Sequence, residues 1–157
     1  MKVRLLFIGK TDAPYLTEGI EAYLGRLRRY IDTEAVAAPV PKKWGALPPD
    51  LRKEKEAEII LRHMGQCDYC VLLDEKGSRV DSRGFARFLH KRMHGSTKLL
   101  LFVVGGPWGF GQEAYRKADS VLSFSPMTFS HQMIRLFLTE QLYRAMTIIR
   151  GQPYHNE

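Results

Sequence analysis

The sequence predicts an α/β fold, a mostly parallel sheet with helices on both faces, in a single domain spanning residues 1–157. Two observations lead there. Short apolar runs closed by turn residues alternate along the whole chain with segments of helical periodicity. There is also no internal repeat, linker or low-complexity stretch to divide the chain.

In order, Lys2 to Ile8 is a strand closed by Gly9. Asp12 and Pro14 open a helix in which Leu16, Ile20, Tyr23, Leu24 and Leu27 recur at helical spacing up to about Tyr30. Thr33 to Ala38 is a weaker strand, and the Pro-rich stretch from Pro39 to Pro49 is a loop. Asp50 caps a second helix to Met64. Tyr69 to Leu73 is a strand ended by Asp74-Glu75-Lys76-Gly77. Asp81 or Ser82 caps a third helix to His94, with Phe85, Phe88, Leu89 and Met93 inward. The strand Leu99 to Val104 follows, then a short helix from Gln112 to Lys117 and a short strand from Ser120 to Phe124. Ser130 caps a long final helix whose Ile134, Phe137, Leu138, Leu142, Ala145 and Ile149 keep a 3.6-residue period until Gly151 and Pro153.

Composition narrows the function classes. Hydrophobic and charged fractions of 45% and 26% are those of an ordinary globular protein. No apolar run approaches the roughly 20 residues of a membrane span, and no signal-peptide apolar region follows Met1 to Leu6. The expected location is cytoplasmic. A formal charge of +7, spread evenly along the chain, favours a polyanionic partner.

The segment Phe102 to Gly111 (FVVGGPWGFG) puts a glycine-rich loop just past a buried strand. Glycines there let the backbone approach a ligand closely, and the carboxyl ends of strands are where α/β folds bind ligands. The ligand is not predicted to be a nucleotide triphosphate. Gly106, Gly109 and Gly111 reverse the spacing of a dinucleotide fingerprint, and Gln112 and Glu113 stand where a P-loop needs Lys and a hydroxyl. Taken alone, the cluster is equally compatible with tight turns and no ligand.

Other motifs carry less. Cys67-Asp68-Tyr69-Cys70 has neither a second Cys pair nor an H-x₃₋₅-H to complete a zinc site, so no metal is expected. A dithiol should open a helix, whereas Cys70 begins a strand; it reads as a small buried residue. The H-x-E triplet of a zinc deaminase occurs only at His155-Asn156-Glu157, after the cysteines instead of before them. Arg83, Arg87, Lys91 and His94 form one basic stripe on the third helix, read either as a solvated face or as a phosphate contact. Lys42, Lys43 and Trp44 offer charge beside a ring in a loop.

Ser123 to Arg135 (SFSPMTFSHQMIR) joins the last strand to the last helix with free amides, carbonyls and hydroxyls suited to an adenine edge or a carboxylate. Capping by Thr128 or Ser130 is the plainer reading. Arg135 lies one turn in from His131 and is expected beside the loop instead of deep in the apolar face.

GGPWGFG, SFSPMTFSHQMIRLFLTEQLYRA and a terminal PYH together resemble the SPOUT methyltransferases. Within them the chain resembles the ribosomal RNA large subunit methyltransferase H family, along its whole length. The resemblance implies an α/β knot in which a C-terminal segment threads an earlier loop, a topology that chain physics alone would not suggest. It implies S-adenosyl-L-methionine as cofactor, N3 of a pseudouridine in 23S ribosomal RNA as target, the assembled ribosome as substrate, and a homodimer with a shared active site. Matched by motif, the cofactor contacts fall on Leu73, Gly106, Ser125, Pro126, Met127, Thr128, Phe129 and Ser130. Tyr154 and His155 match the terminal motif implicated in substrate handling. Asn156 departs from the pattern, since many members carry Arg or Lys there.

Residue chemistry then suggests roles. His155, His131 or water takes the N3 proton, Tyr154 positions the base, and Arg135 stabilises charge or meets a phosphate. His131, Arg83, Arg87 and Lys91 are the RNA-contact candidates. Met133, Phe137, Tyr143 and Met146 give the last helix more apolar surface than one packing face needs, which suggests a partner helix. Trp108 and Phe110 are expected to face RNA or the second subunit. An RNA-binding protein without catalysis is the alternative, and a redox or metal protein built on Cys67 and Cys70 is a further one.

Overall fold

The computed structural model describes residues 1–156, so Glu157 of the H-x-E triplet lies outside the described residues. A parallel five-stranded sheet has the order β2-β1-β4-β3-β5. The strands are β1 (Lys2–Ile8), β2 (Asp32–Ala38), β3 (Tyr69–Arg79), β4 (Leu99–Val104) and β5 (Ser120–Ser123). The helices are α1 (Pro14–Leu27), α2 (Pro49–Met64), α3 (Ser82–Met93), α4 (Gln112–Lys117) and α5 (Met133–Ile149).

The central strands carry apolar runs at residues 5–8, 70–73 and 99–104 because both faces are covered there. Side chains alternate across the pleat. Val3, Leu5, Phe7, Val71, Leu100 and Phe102 meet α1, α3 and α5 on one face; Leu6, Ile8, Cys70, Leu72, Leu101 and Val103 meet α2 and Phe110 on the other. This is the predicted mostly parallel sheet with helices on both faces.

The boundaries shift for local reasons. The cap position of α1 is Ala13, without a side-chain bond, and Asp12 instead donates its backbone N–H to Gln132 at 2.9 Å. Asp50 lies inside the first turn of α2, where it pairs with Lys53 at 3.3 Å; Pro48 and Pro49 set the helix entry. Asp81 caps α3 as expected, accepting from the Gly84 N–H at 2.6 Å. The loop from Pro39 to Pro49 contains one 3₁₀ segment, Lys42–Ala46. Trp44 there is half-buried against the core, with the Lys55 ammonium 5.9 Å over its ring.

The largest departure is β3. The expected strand end at Leu73 is only an interruption: Leu122 of β5 pairs first with Leu73 and again with Ser78. Residues 74–77 bulge from that ladder, and the strand resumes to Arg79. Gly77 makes the return possible, because a Cβ there would lie 2.7 Å from the backbone of Val121.

The apolar surplus of α5 is largely spent within the subunit. Met146 is fully buried, and Tyr143 packs on the rings of Tyr23, Tyr30 and Tyr154. The helix lies between α1 and α3, which explains the second apolar face. Met133 and Phe137 remain half-buried.

Candidate active site

Strand β4 ends at Val104 beside the interruption of β3 after Leu73, β5 ends at Ser123, and there opens a cleft of about 420 Å³. Its floor is Leu73, Val104 and Leu122. One wall is the glycine loop from Gly105 to Phe110, the other the segment Ser123–Phe129 without Pro126, and His131 and Ile134 also line it.

The glycine wall is seated on α2. A Cβ at Gly106 would stand 2.6 Å from Glu56 Oε2, and one at Gly111 would stand 3.0 Å from the Lys53 carbonyl. Glu56 is 2% exposed, and its Oε1 accepts from Arg52 Nε at 2.9 Å. The amphipathic pattern of α2 gave no sign of a buried carboxylate at this position. Gly109 adopts φ +82° and donates its N–H to the Gly106 carbonyl at 3.2 Å, which closes the turn. Phe110 does not face RNA or a partner. It is buried edge-on against Tyr115, at 5.7 Å between ring centres. Trp108 is 55% exposed.

The opposite wall is held by short side-chain bonds. The Ser123 hydroxyl donates to the Ser125 carbonyl at 2.9 Å, and the Met127 N–H donates to Ser125 Oγ at 2.9 Å. Thr128 Oγ1 donates to Glu75 Oε2 at 2.5 Å, across the mouth of the cleft. That bond depends on the β3 bulge, which places Asp74, Glu75 and Lys76 in the lining. These three read in the sequence as a turn. The Tyr115 hydroxyl donates to the Asp74 carboxylate, and burial, reinforced by that carboxylate, pushes the phenol above its ordinary range. Pro126 and Ser130 stand outside the lining. The cap position of α5 is Gln132 and not Ser130, which lies two residues earlier with its Oγ accepting from the Met133 N–H at 3.1 Å.

Arg135 keeps one bond to the loop, its Nε donating to the His131 carbonyl at 3.2 Å, but the side chain does not line the cleft. It is wholly buried, which removes it from contact with substrate or RNA phosphate. Its Nη2 donates to the Ile8 carbonyl at 2.8 Å, and its Nη1 donates to the Gly9 carbonyl at 2.9 Å and to Thr11 Oγ1 at 3.0 Å. The guanidinium also lies 5.0 Å from the Phe7 ring centre. It ties the start of α5 to the end of β1. Burial lowers it to about 10, against the opposing pull of Asp12. His131 does line the cleft. Burial first, then the Arg135 and Arg52 cations, hold its imidazole below the ordinary histidine range, with Asp12 opposing.

Two further cavities adjoin. One of about 430 Å³ shares Phe124, Ser125 and Phe129 with the cleft and is lined by Arg83, Phe137, Glu140 and His155. The next, about 480 Å³, shares Arg83 and His155 with it, and Arg87 and Lys91 line it above Ala86, Ile148 and Ile149. Arg83, Arg87 and Lys91 of the basic stripe and His155 of the tail thus line the two cavities beyond the cleft. Tyr154 is pinned within the subunit. Its hydroxyl lies 3.3 Å from that of Tyr23 and donates to Glu140 Oε1 at 3.1 Å. Burial, then the Tyr23 bond and Glu140, push it above the ordinary phenol range.

Cys70 is buried and Cys67 half-buried, both as free thiols. A mutual hydrogen bond lowers Cys67 and raises Cys70, and burial raises Cys70 further. Among the described residues no group of His, Cys, Asp or Glu is placed to hold a metal ion, and no helix is long and apolar enough to cross a membrane.

Comparison with known proteins bears on this arrangement. A crystal structure of a probable methyltransferase from Bordetella pertussis Tohama I has the same fold, with a TM-score of 0.56 at 11% identity, covering 92% of this chain and 96% of that one. A protein named ribosomal RNA large subunit methyltransferase H from Parabacteroides distasonis is 50% identical over 157 residues, the full length of both. One of the same name from Christiangramia forsetii is 48% identical over 156 residues, 99% of each chain. The family described as predicted SPOUT methyltransferase matches residues 1–155. With relatives this similar along the entire sequence and a cleft at the carboxyl ends of a parallel sheet, the chain belongs to the SPOUT methyltransferase family.

Proposed function

We propose that the protein transfers a methyl group from S-adenosyl-L-methionine to N3 of a pseudouridine in 23S ribosomal RNA, in the assembled ribosome. The observation that carries this reading is one cleft lined by Leu73, Gly106, Ser125, Met127, Thr128 and Phe129, with the two cavities that basic residues line beyond it. The names of the full-length relatives point to large-subunit ribosomal RNA as the target.

The lining fits such a cofactor. The floor is apolar, both walls offer backbone polar groups, and Asp74 and Glu75 place carboxylates where a cation would be favoured. When bound, the cofactor supplies an electrophilic methyl group on a sulfonium. The chain's own residues orient and exclude water. The two walls fix the approach direction so that N3 and the methyl carbon meet in line. His131, held largely neutral near pH 7, is available to accept the N3 proton. Arg83, Arg87 and Lys91 hold RNA phosphates at those cavities, an electrostatic contact that weakens with salt. The exposed Met127 and Phe129, with half-buried Met133 and Phe137, form an apolar patch for the second subunit of a homodimer. The C-terminal knot belongs to this reading as well.

Mass spectrometry of 23S ribosomal RNA fragments from cells lacking the protein tests the proposal. The expected result is loss of one methyl group from one pseudouridine, restored by the wild-type gene. Unchanged fragments, with no heat of S-adenosyl-L-methionine binding in calorimetry, would favour a non-catalytic RNA-binding protein.

A further inference from the structure

The C-terminal tail is tied to α5 by a network that ends on an imidazole. Glu140 Oε1 accepts from Arg144 Nε at 3.0 Å and from Arg144 Nη2 at 2.7 Å, in addition to the Tyr154 hydroxyl. Glu140 Oε2 accepts from Gln141 Nε2 at 2.8 Å, and Gln141 Oε1 in turn accepts from the Ser82 hydroxyl at 2.8 Å. The Arg144 guanidinium lies 4.7 Å over the Tyr154 ring, so it is fixed on its edge and on its face. Its remaining nitrogen, Nη1, lies 3.3 Å from Nδ1 of His155.

As a hydrogen bond this contact runs in one direction. Arginine donates through every nitrogen and accepts through none. In that bond Nδ1 of His155 is the acceptor, which a neutral ring permits when its proton is on Nε2. In a Ser-His-Asp arrangement a carboxylate takes the Nδ1 proton and leaves Nε2 as the base. Here a guanidinium stands in the carboxylate's place, and the outcome reverses: Nε2 is a donor. His155 lines the cavity that shares Ser125 and Phe129 with the cleft, and among the described residues Asp81, Arg83 and Glu140 are the other ionisable groups lining it.

We propose that Arg144 is a positioning residue that holds His155 as the Nε2–H tautomer, and that His155 meets the target base as a hydrogen-bond donor to a ring carbonyl oxygen. This rests on the methyl-transfer reading. N3 of the base lies between two carbonyl groups. As its proton leaves to His131 or water, the N–H bonding pair stays on N3 and becomes the new N3–C bond, while the pair of the broken S–C bond stays with sulfur. Negative charge gathers meanwhile on the flanking oxygens, where a preorganised donor lowers the barrier.

Two experiments test it. In ¹⁵N-labelled full-length protein, the His155 ring should show an unprotonated Nδ1 and a protonated Nε2, assigned by loss of the signals in His155→Ala. Arg144→Met should yield a mixture of tautomers. A protonated Nδ1 in the wild-type protein would overturn the proposal, whether or not the protein is a methyltransferase. In single-turnover methyl transfer to ribosomes, His155→Ala should lose about a hundredfold. His155→Gln, which keeps a donor near the Nε2 position and cannot act as a base, should retain at least about a tenth of the wild-type rate. Equal losses in the two variants would make His155 a base and overturn the proposal. An inactive wild-type protein would count against the methyl-transfer reading, and the tautomer measurement would still decide the role of Arg144.

Discussion

The two walls of the cleft are built on opposite principles. The glycine wall is defined by what it excludes. The spaces where side chains of Gly106 and Gly111 would stand are filled by Glu56 and the Lys53 carbonyl, and Phe110 plugs the loop into the core. The serine wall is defined by the bonds it makes: Ser123 to Ser125, Ser125 to Met127, and Thr128 to Glu75, with Met127 69% exposed. One wall is a backbone pressed on a helix and the other a loop with a few tethers. Rigid and adaptable surfaces facing each other suit a site that must hold a cofactor and admit a base.

The difference can be broken most severely on the glycine side. Gly106→Val should weaken cofactor binding by about a hundredfold or more, read by calorimetry, since a buried carboxylate blocks the added atoms. Affinity equal to wild type would mean that the cofactor does not lie against this loop. The milder Gly106→Ala should be partly rescued by Glu56→Ala, because the occluding oxygen is then gone.

Next in size is the anchor behind the serine wall. Arg135→Leu should cost about 3 kcal/mol in chemical unfolding, because the carbonyls of Ile8 and Gly9 lose their donor in a buried setting. A loss below about 0.5 kcal/mol, the size of an ordinary surface change, would show that water replaces the guanidinium. The tether itself should matter less. Thr128→Val is expected to leave the melting temperature nearly unchanged and to shift cofactor affinity by only about threefold to tenfold, the range of one hydrogen bond. A larger effect would make the serine wall as rigid as the glycine wall.

The smallest effect concerns pH. The folded protein holds His131 below its unfolded pKa of about 6.5. As pH falls through that window the unfolded chain takes up a proton that the folded chain does not, so stability falls with acidity and is fully present above the unfolded value. His131→Gln should flatten the decline between about pH 6.5 and the lowered folded value. An unchanged slope would place the titration elsewhere.

The glycine wall was legible in the sequence as a loop past a strand, and the central strands were legible from their apolar runs. Three features were hidden. Asp74 to Ser78 carries polar and glycine residues that signal a turn, yet the backbone returns to the sheet because Gly77 clears Val121. Glu56 and Arg135 are charged residues at helical positions, and periodicity assigns such residues to solvent. Only the third dimension supplies the partners that make their burial tolerable: Arg52 for the first, the carbonyls ending β1 for the second. Phe110 was misplaced for the converse reason, since a ring among glycines reads as exposed until a core is seen beneath it.

The Arg135 anchor bears on when the molecule can become itself. Three of its hydrogen bonds end on residues 124 to 127 positions earlier in the chain. The first strand to be synthesised therefore waits for the last helix before the carbonyls at its end are satisfied. Contacts this distant in sequence form late and slow folding. A nascent chain released before Arg135 has emerged holds most of the sheet and neither a sealed β1 terminus nor a complete cleft. Ligand binding then has nothing to stabilise until synthesis is nearly finished, so truncated chains should be cleared by proteolysis even when the cofactor is abundant.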